Sequence, residues 1–192
     1  MKQAETPSIS TERTYVLLRN ALLTLMMAKP FEKITLTDIC KLAMIPRSTF
    51  YRHFEDKYAL LYHCFDNLLQ DAELDLDIRV IQKRESAKHF FITLFCYLEK
   101  HKATYKKILA SNRQGCVLEC LRHYLERRIA DDLLKTLGSK APNGLPSDMF
   151  SRILASFILS AAQSFIESEV SYNIEELADR LSLCTNEGLL TI

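Results

Sequence analysis

The sequence predicts an all-α protein of about nine helices, and three observations carry that prediction. Glycine and proline are scarce, four and five copies in 192 residues, which leaves too few turn residues for a sandwich or a barrel. Apolar residues recur at intervals of three and four along most of the chain. A composition of 48% hydrophobic and 26% charged residues is that of a globular protein with ample material for a core. No apolar run reaches the ~18 residues needed to span a membrane and no charged-then-apolar leader is present, so a cytoplasmic location without a membrane partner is expected.

Met1 to Ile9 is polar, contains Pro7 and reads as a frayed arm. Ser10 or Thr11 can cap a helix to about Ala28 with Tyr15, Leu18, Leu22 and Leu25 on one face, and Lys29-Pro30 stops it. Phe31 and Ile34 tuck the connecting loop against the core. The next stretch, Thr35 to Lys57, is the one that points to a function. Thr35 followed by Asp38 has the form of a helix start, and Ile39, Leu42 and Ala43 give a short apolar face. The pattern breaks at Met44 and Ile45, and Pro46 stands where a missing N–H is tolerated, at the first turn of a new helix. Two helices separated by about three residues form a helix-turn-helix. In the second, Phe50 and Phe54 are one turn apart and point inward, leaving Arg47, Ser48, Thr49, Tyr51 and His53 outward.

This stretch resembles the N-terminal DNA-binding domain of the TetR/AcrR family of bacterial transcription regulators. The likeness rests on Thr37, Asp38, Ile39, Ala43, Thr49, Phe50, Tyr51, His53, Phe54 and Lys57. One position departs from the pattern: Met44 stands where the family has a glycine that permits a positive backbone angle, so a strained or altered turn is expected there. The resemblance implies a helix-turn-helix domain over residues 1–57 and a C-terminal regulatory and dimerisation domain over 58–192, joined by a fourth helix over 56–76. It also implies double-stranded DNA as partner, a homodimer, and a small-molecule effector. Arg47 has the planar fork to read a guanine edge, with Ser48 and Thr49 adding shorter base contacts. Tyr51, His53 and Lys57, with Thr35 and Thr37 from the preceding helix, are expected on phosphates. Net charge over residues 1–57 is only +3, so attraction to DNA comes from placement more than from bulk charge.

Asp56 can cap the fourth helix, which carries Leu60, Leu61, Cys64, Phe65 and Leu68. The alternation in Asp71 to Ile78 has a strand's period, but no second strand is near to pair with it, and the helix is expected to fray there. A fifth helix over Ser86 to Lys100 and a short one over Ala103 to Ala110 are both rich in aromatics. A helix from about Gln114 to Leu137 carries Leu118, Leu121, Leu125 and Ile129. Ser147 caps a long helix to Ser168, and Asn173 with Glu176 caps the last. The last two helices bear more apolar surface than a small domain needs, and Phe150, Leu154, Phe157, Ala161, Phe165, Leu177 and Leu181 are the expected dimer interface. Residues 86–187 resemble a C-terminal type found in regulators of small operons. Phe91, Phe95, Tyr97, Tyr124 and Phe157 are candidates to line an effector pocket, although aromatics at this spacing read more simply as core.

The six cysteines lie in predicted helices and read as reduced, small core residues. Cys116, Cys120 and His123 share one helical face and have metal-binding chemistry, with His63, Cys64 or Cys96 as a fourth ligand. Buried cysteine is the commoner reading of that spacing, and no cofactor or metal is expected. The chain has no glycine-rich phosphate loop, nucleophile elbow or H-E-x-x-H motif, which excludes the familiar enzyme classes. The sequence therefore predicts a dimeric, effector-modulated regulator that binds an inverted repeat. The alternatives are a co-regulator whose C-terminal domain binds a partner protein, or a metal-responsive regulator.

Overall fold

A computed structural model describes residues 9–77, 83–113, 115–136 and 144–185. These hold eight α-helices and no β-strand: α1 (Ile9–Ala28), α2 (Leu36–Ala43), α3 (Arg47–His53), α4 (Lys57–Asp71), α5 (Arg84–Ser111), α6 (Cys116–Thr136), α7 (Ser147–Glu167) and α8 (Ile174–Leu183), with a 3-10 turn at Phe31–Lys33. The chain divides into two compact units. The first is Met1–Cys64 together with Lys107–Val117, and the second is Phe65–Lys106 with Leu118–Ile192.

The first unit packs α1, α2, α3 and the start of α4 around Leu18, Leu22, Phe31, Ile39, Phe50, Leu60 and Leu61, all buried. Each side chain of this size, fully buried, stabilises the fold by about 1.5–3 kcal/mol. Tyr15 lies at the edge of this core, its ring 5.4 Å from Phe54 and 4.8 Å from His63. Asp56 caps α4 as expected, its carboxylate accepting from the N–H groups of Tyr58 at 2.9 Å and Ala59 at 2.8 Å. The helix ends at Asp71, and residues 72–77 form a turn and then irregular chain; Ile78 lies outside the described residues.

In the second unit, α5 contributes Phe90, Phe91, Leu94, Phe95 and Leu98 to the core, and α6 contributes Tyr124, Leu125, Ile129 and Leu133. The break expected near Lys100 is absent: α5 is one helix from Arg84 to Ser111. Lys100, His101 and Lys102 all tolerate a helix, and the His101 ring lies tilted against Tyr97 one turn earlier at 4.6 Å. Pro146, not Ser147, takes the cap position of α7, while Asn173 caps α8 by accepting from Glu175 N–H at 3.0 Å and Glu176 N–H at 3.2 Å.

One face of α7 goes where the sequence did not place it. Phe150, Leu154 and Phe165, expected at a dimer interface, are 1%, 1% and 3% exposed within the single chain. Phe165 stacks on Phe95 at 4.8 Å, and Phe157 meets Phe91 edge-on at 6.0 Å. An apolar stripe satisfies an intrachain core as readily as a partner, and here α5 supplies part of that core through Phe91 and Phe95. Phe157, Ala161, Leu177 and Leu181 stay half-buried. By length and composition α7 would also pass as a membrane span, but its Phe157 and Phe165 pack against Phe91 and Phe95 of α5.

Candidate DNA-binding surface

The helix-turn-helix is built by local chemistry at each joint. Thr35 and Asp38 form a reciprocal cap on α2: Asp38 N–H donates to Thr35 Oγ1 at 3.2 Å, and Thr35 N–H donates to Asp38 Oδ2 at 2.9 Å. Lys29 adds a 2.8 Å ion pair to the same carboxylate oxygen, and this ammonium, with the Thr35 N–H, holds Asp38 far below the usual carboxylate range.

At the other end of α2, Met44 sits in the left-handed region with φ 55° and ψ 37°. Ile45 N–H reaches back to the Cys40 carbonyl at 3.0 Å and Met44 N–H to the Lys41 carbonyl at 3.3 Å. That pair of bonds is the Schellman helix ending, whose left-handed residue is usually glycine. The expected strain at Met44 is thus located, and the turn keeps its ordinary geometry. Pro46 follows at φ −60°, and its carbonyl accepts from Thr49 and Phe50 N–H groups at 3.0 and 3.1 Å, starting α3.

Phe50 is fully buried and anchors α3 from below, so the opposite side of the helix is presented outward. Arg47, Ser48, Tyr51 and Arg52 are exposed, Tyr51 by 60%, while Thr49 and His53 are half-buried. Arg47 donates through its guanidinium to Thr37 Oγ1, which ties the first turn of α3 to α2. His53 packs edge-on against Tyr15 at 5.3 Å. Thr35 and Thr37 are exposed on the α2 side of the same surface.

Lys57 occupies a different place from the one expected. Its ammonium donates to the carbonyls of Phe31 at 2.9 Å, Glu32 at 3.1 Å and Ile34 at 2.9 Å. Three N–H groups meet three acceptors, so the residue acts as a clamp on the 31–34 loop. Nothing in the local sequence signals this, because the acceptors are backbone atoms more than twenty residues upstream.

Asn112 was also unforeseen, and it is buried against this unit. Its Oδ1 accepts from Phe31 N–H at 2.7 Å, and its Nδ2 donates to the Met26 carbonyl at 3.0 Å and the Ile108 carbonyl at 2.8 Å.

The pocket and metal candidates fare unevenly. Phe91 and Phe95 are sealed in the core, and Tyr97 pairs with Tyr105 through their hydroxyls at 3.1 Å. Tyr124 lines an open cleft of about 270 Å³ with Asp66, Leu69, Gln70, Glu73, Leu74, Asp75 and Arg128. Its hydroxyl donates to Asp66, and burial, reinforced by that carboxylate, pushes its pKa up. Among the described residues no group of three or more His, Cys, Asp or Glu side chains could hold a metal ion. His123 instead faces Glu119 at 3.2 Å and Glu126 at 3.3 Å. All six cysteines are free thiols; Cys40 and Cys64 are buried as expected, burial pushing Cys64 up to about 12, whereas Cys96 and Cys184 are exposed.

Two family models match this arrangement. Residues 18–64 match the bacterial regulatory proteins of the tetR family, and residues 85–187 match a transcriptional regulator C-terminal region of the same family. The chain belongs to the TetR family. It is therefore a non-enzymatic, DNA-binding transcription regulator. Among solved structures, a TetR regulator from Streptococcus agalactiae shares 22% identity with a TM-score of 0.54, covering 91% of this chain and 94% of that one. A regulator from Rhodococcus shares 16% identity at TM-score 0.54, covering 96% and 100%. The Bacillus subtilis regulator FadR, solved in complex with stearoyl-CoA, shares 14% identity at TM-score 0.51, covering 91% and 98%. At these identities the likeness is one of fold. No curated protein matches the sequence.

Proposed function

We propose that this TetR-family regulator works as a cytoplasmic homodimer that reads an inverted-repeat operator through α3, with its grip set by a small effector held among the C-terminal helices. The observation that supports the reading most is the exposed row of Arg47, Ser48 and Tyr51 on a helix pinned from below by Phe50. In this reading Arg47 addresses guanine O6 and N7 in the major groove, and Ser48 and Thr49 make shorter base contacts. Thr35, Thr37, Tyr51 and His53 hold phosphates, and Lys57 supports them by fixing the loop behind.

Dimerisation is assigned to the half-buried residues of α7 and α8, Phe157, Ala161, Leu177 and Leu181, since Phe150, Leu154 and Phe165 are already spent on the intrachain core. The effector is assigned to the cleft lined by Asp66, Gln70, Tyr124 and Arg128, whose polar side chains suit a small, hydrogen-bonding molecule. An effector there would touch α4, which runs from Lys57 at the reading head to Asp71. It would shift the equilibrium between conformations that fit the two half-sites and conformations that do not.

Sedimentation velocity tests the dimer. The chain is expected to sediment as two copies, and Ala161→Arg or Leu181→Glu to give one copy with weakened operator binding. A wild-type chain that stays single both free and on DNA would sink the proposal.

A further inference from the structure

We infer that Met44 is a specificity-determining residue that reads the C5 methyl group of a thymine close to the base addressed by Arg47; the inference rests on the DNA-reading role proposed above for α3. Met44 holds φ 55° and ψ 37°, a left-handed conformation in which Cβ crowds the following carbonyl oxygen. Glycine closes a helix in this way without that cost, and asparagine or aspartate offset it through a short polar side chain that bonds to nearby backbone. Methionine has neither advantage, since its thioether is a weak acceptor with no proton to donate.

Burial does not offset the cost either. At 89% exposure Met44 is the most exposed large apolar side chain among the described residues, while Ala43 before it is buried and Ile45 after it is half-buried. The helix ending itself needs only two backbone bonds here, from Met44 N–H to the Lys41 carbonyl and from Ile45 N–H to the Cys40 carbonyl, and a glycine would make both. One other non-glycine among the described residues has a positive φ, Glu73, and that is a charged, exposed side chain suited to water. Met44 pairs the same backbone conformation with an apolar side chain left in solvent.

Its place in the fold supplies the missing partner. Met44 closes α2 and stands three residues before Arg47, so the two α-carbons lie within about 11 Å of each other. Arg47 opens α3, and its guanidinium donates to Thr37 Oγ1, which holds it at the same junction of the two helices. Leu42, 46% exposed, adds apolar surface from the last turn of α2. Besides donors and acceptors, the major groove presents one apolar group, the thymine methyl, and apolar side chains are what contact it. Methionine is unbranched, with three rotatable bonds and a polarizable sulfur, and adapts to such a target. Successive bases of one strand are 3.4 Å apart along the axis, so the thymine falls within about three base pairs of the guanine that Arg47 addresses.

The test uses the full chain and an operator selected from random duplex DNA, in which each thymine of a half-site is replaced in turn by uracil, which lacks only the C5 methyl. Wild type is expected to lose about three- to fourfold in affinity at one thymine within that distance of the guanine, the worth of one methyl group withdrawn from water. Met44→Gly is expected to bind the thymine and uracil duplexes alike at that position. Because the readout is a ratio for one protein on two duplexes, any change in the amount of folded protein cancels. A glycine variant that keeps the wild-type ratio at every thymine would overturn the inference, as would a wild type indifferent to uracil throughout. Failure to select any preferred sequence would instead overturn the DNA-reading proposal itself, and the inference with it.

Discussion

The Lys57 ammonium lies 2.9 Å from the carbonyl oxygen of Phe31 and 4.6 Å from the centre of its ring, so one cation serves as hydrogen-bond donor and cation–π partner to the same residue. With Glu32 and Ile34 also accepting from it, the half-buried side chain holds the 31–34 loop. Lys57→Ala is expected to destabilise the chain by about 1–3 kcal/mol in thermal or urea unfolding, because the part-buried carbonyls lose their donor. The salt dependence of DNA binding should barely move. A flattened salt slope with unchanged stability would restore a phosphate role.

Met44 holds a left-handed backbone conformation with its side chain 89% exposed, so it bears the steric cost without packing gain. Met44→Gly is expected to stabilise the protein by about 0.5–1.5 kcal/mol, and Met44→Val to destabilise it. Equilibrium unfolding of the two variants checks the sign; a destabilised glycine variant would mean the methionine makes contacts of its own.

Acid sensitivity follows from Asp38. Its folded pKa is lowered from the ordinary 3.8, first by the Lys29 ammonium and then by Thr35. A depressed carboxyl contributes its stability above the unfolded value and loses it as pH falls through that value toward the folded one. Melting temperature should therefore decline from about pH 5 downward, and Asp38→Asn should flatten part of that decline. An identical pH profile in the variant would show the ion pair to be without consequence.

Base and phosphate roles separate by mutation. Arg47→Ala is expected to cost about 1–3 kcal/mol and to relax preference at one base position, whereas Tyr51→Phe should weaken binding evenly across half-site variants. Titrations against a panel of single-base operator changes decide it, since like behaviour of the two mutants would undo the assignment.

What the chain revealed in advance was chemistry that closes within a few residues. The Thr35–Asp38 cap, the joint at Met44, the Pro46 start, the inward Phe50 and the Asn173 cap all depend on neighbours in sequence. What it hid depends on partners far away. Lys57 reads as a phosphate-facing cation until Phe31 is folded against it, and nothing near Asn112 in the sequence announces its bonds to Met26 and Phe31. The α7 stripe misled for a related reason: periodicity shows that Phe150, Leu154 and Phe165 are buried but not by what, and the single chain buries all three, Phe165 against Phe95 of α5. The expected gap in α5 came from a polar run that carries no helix breaker.

The central claim is that paired copies of α3 read a two-fold symmetric sequence. Selection from random duplex DNA with the full chain, followed by footprinting of the winning sequence, addresses it directly. The account predicts an inverted repeat whose half-site centres lie about one helical turn, or a multiple of it, apart, protected by two chains. Binding without sequence preference, falling only with salt, would contradict it.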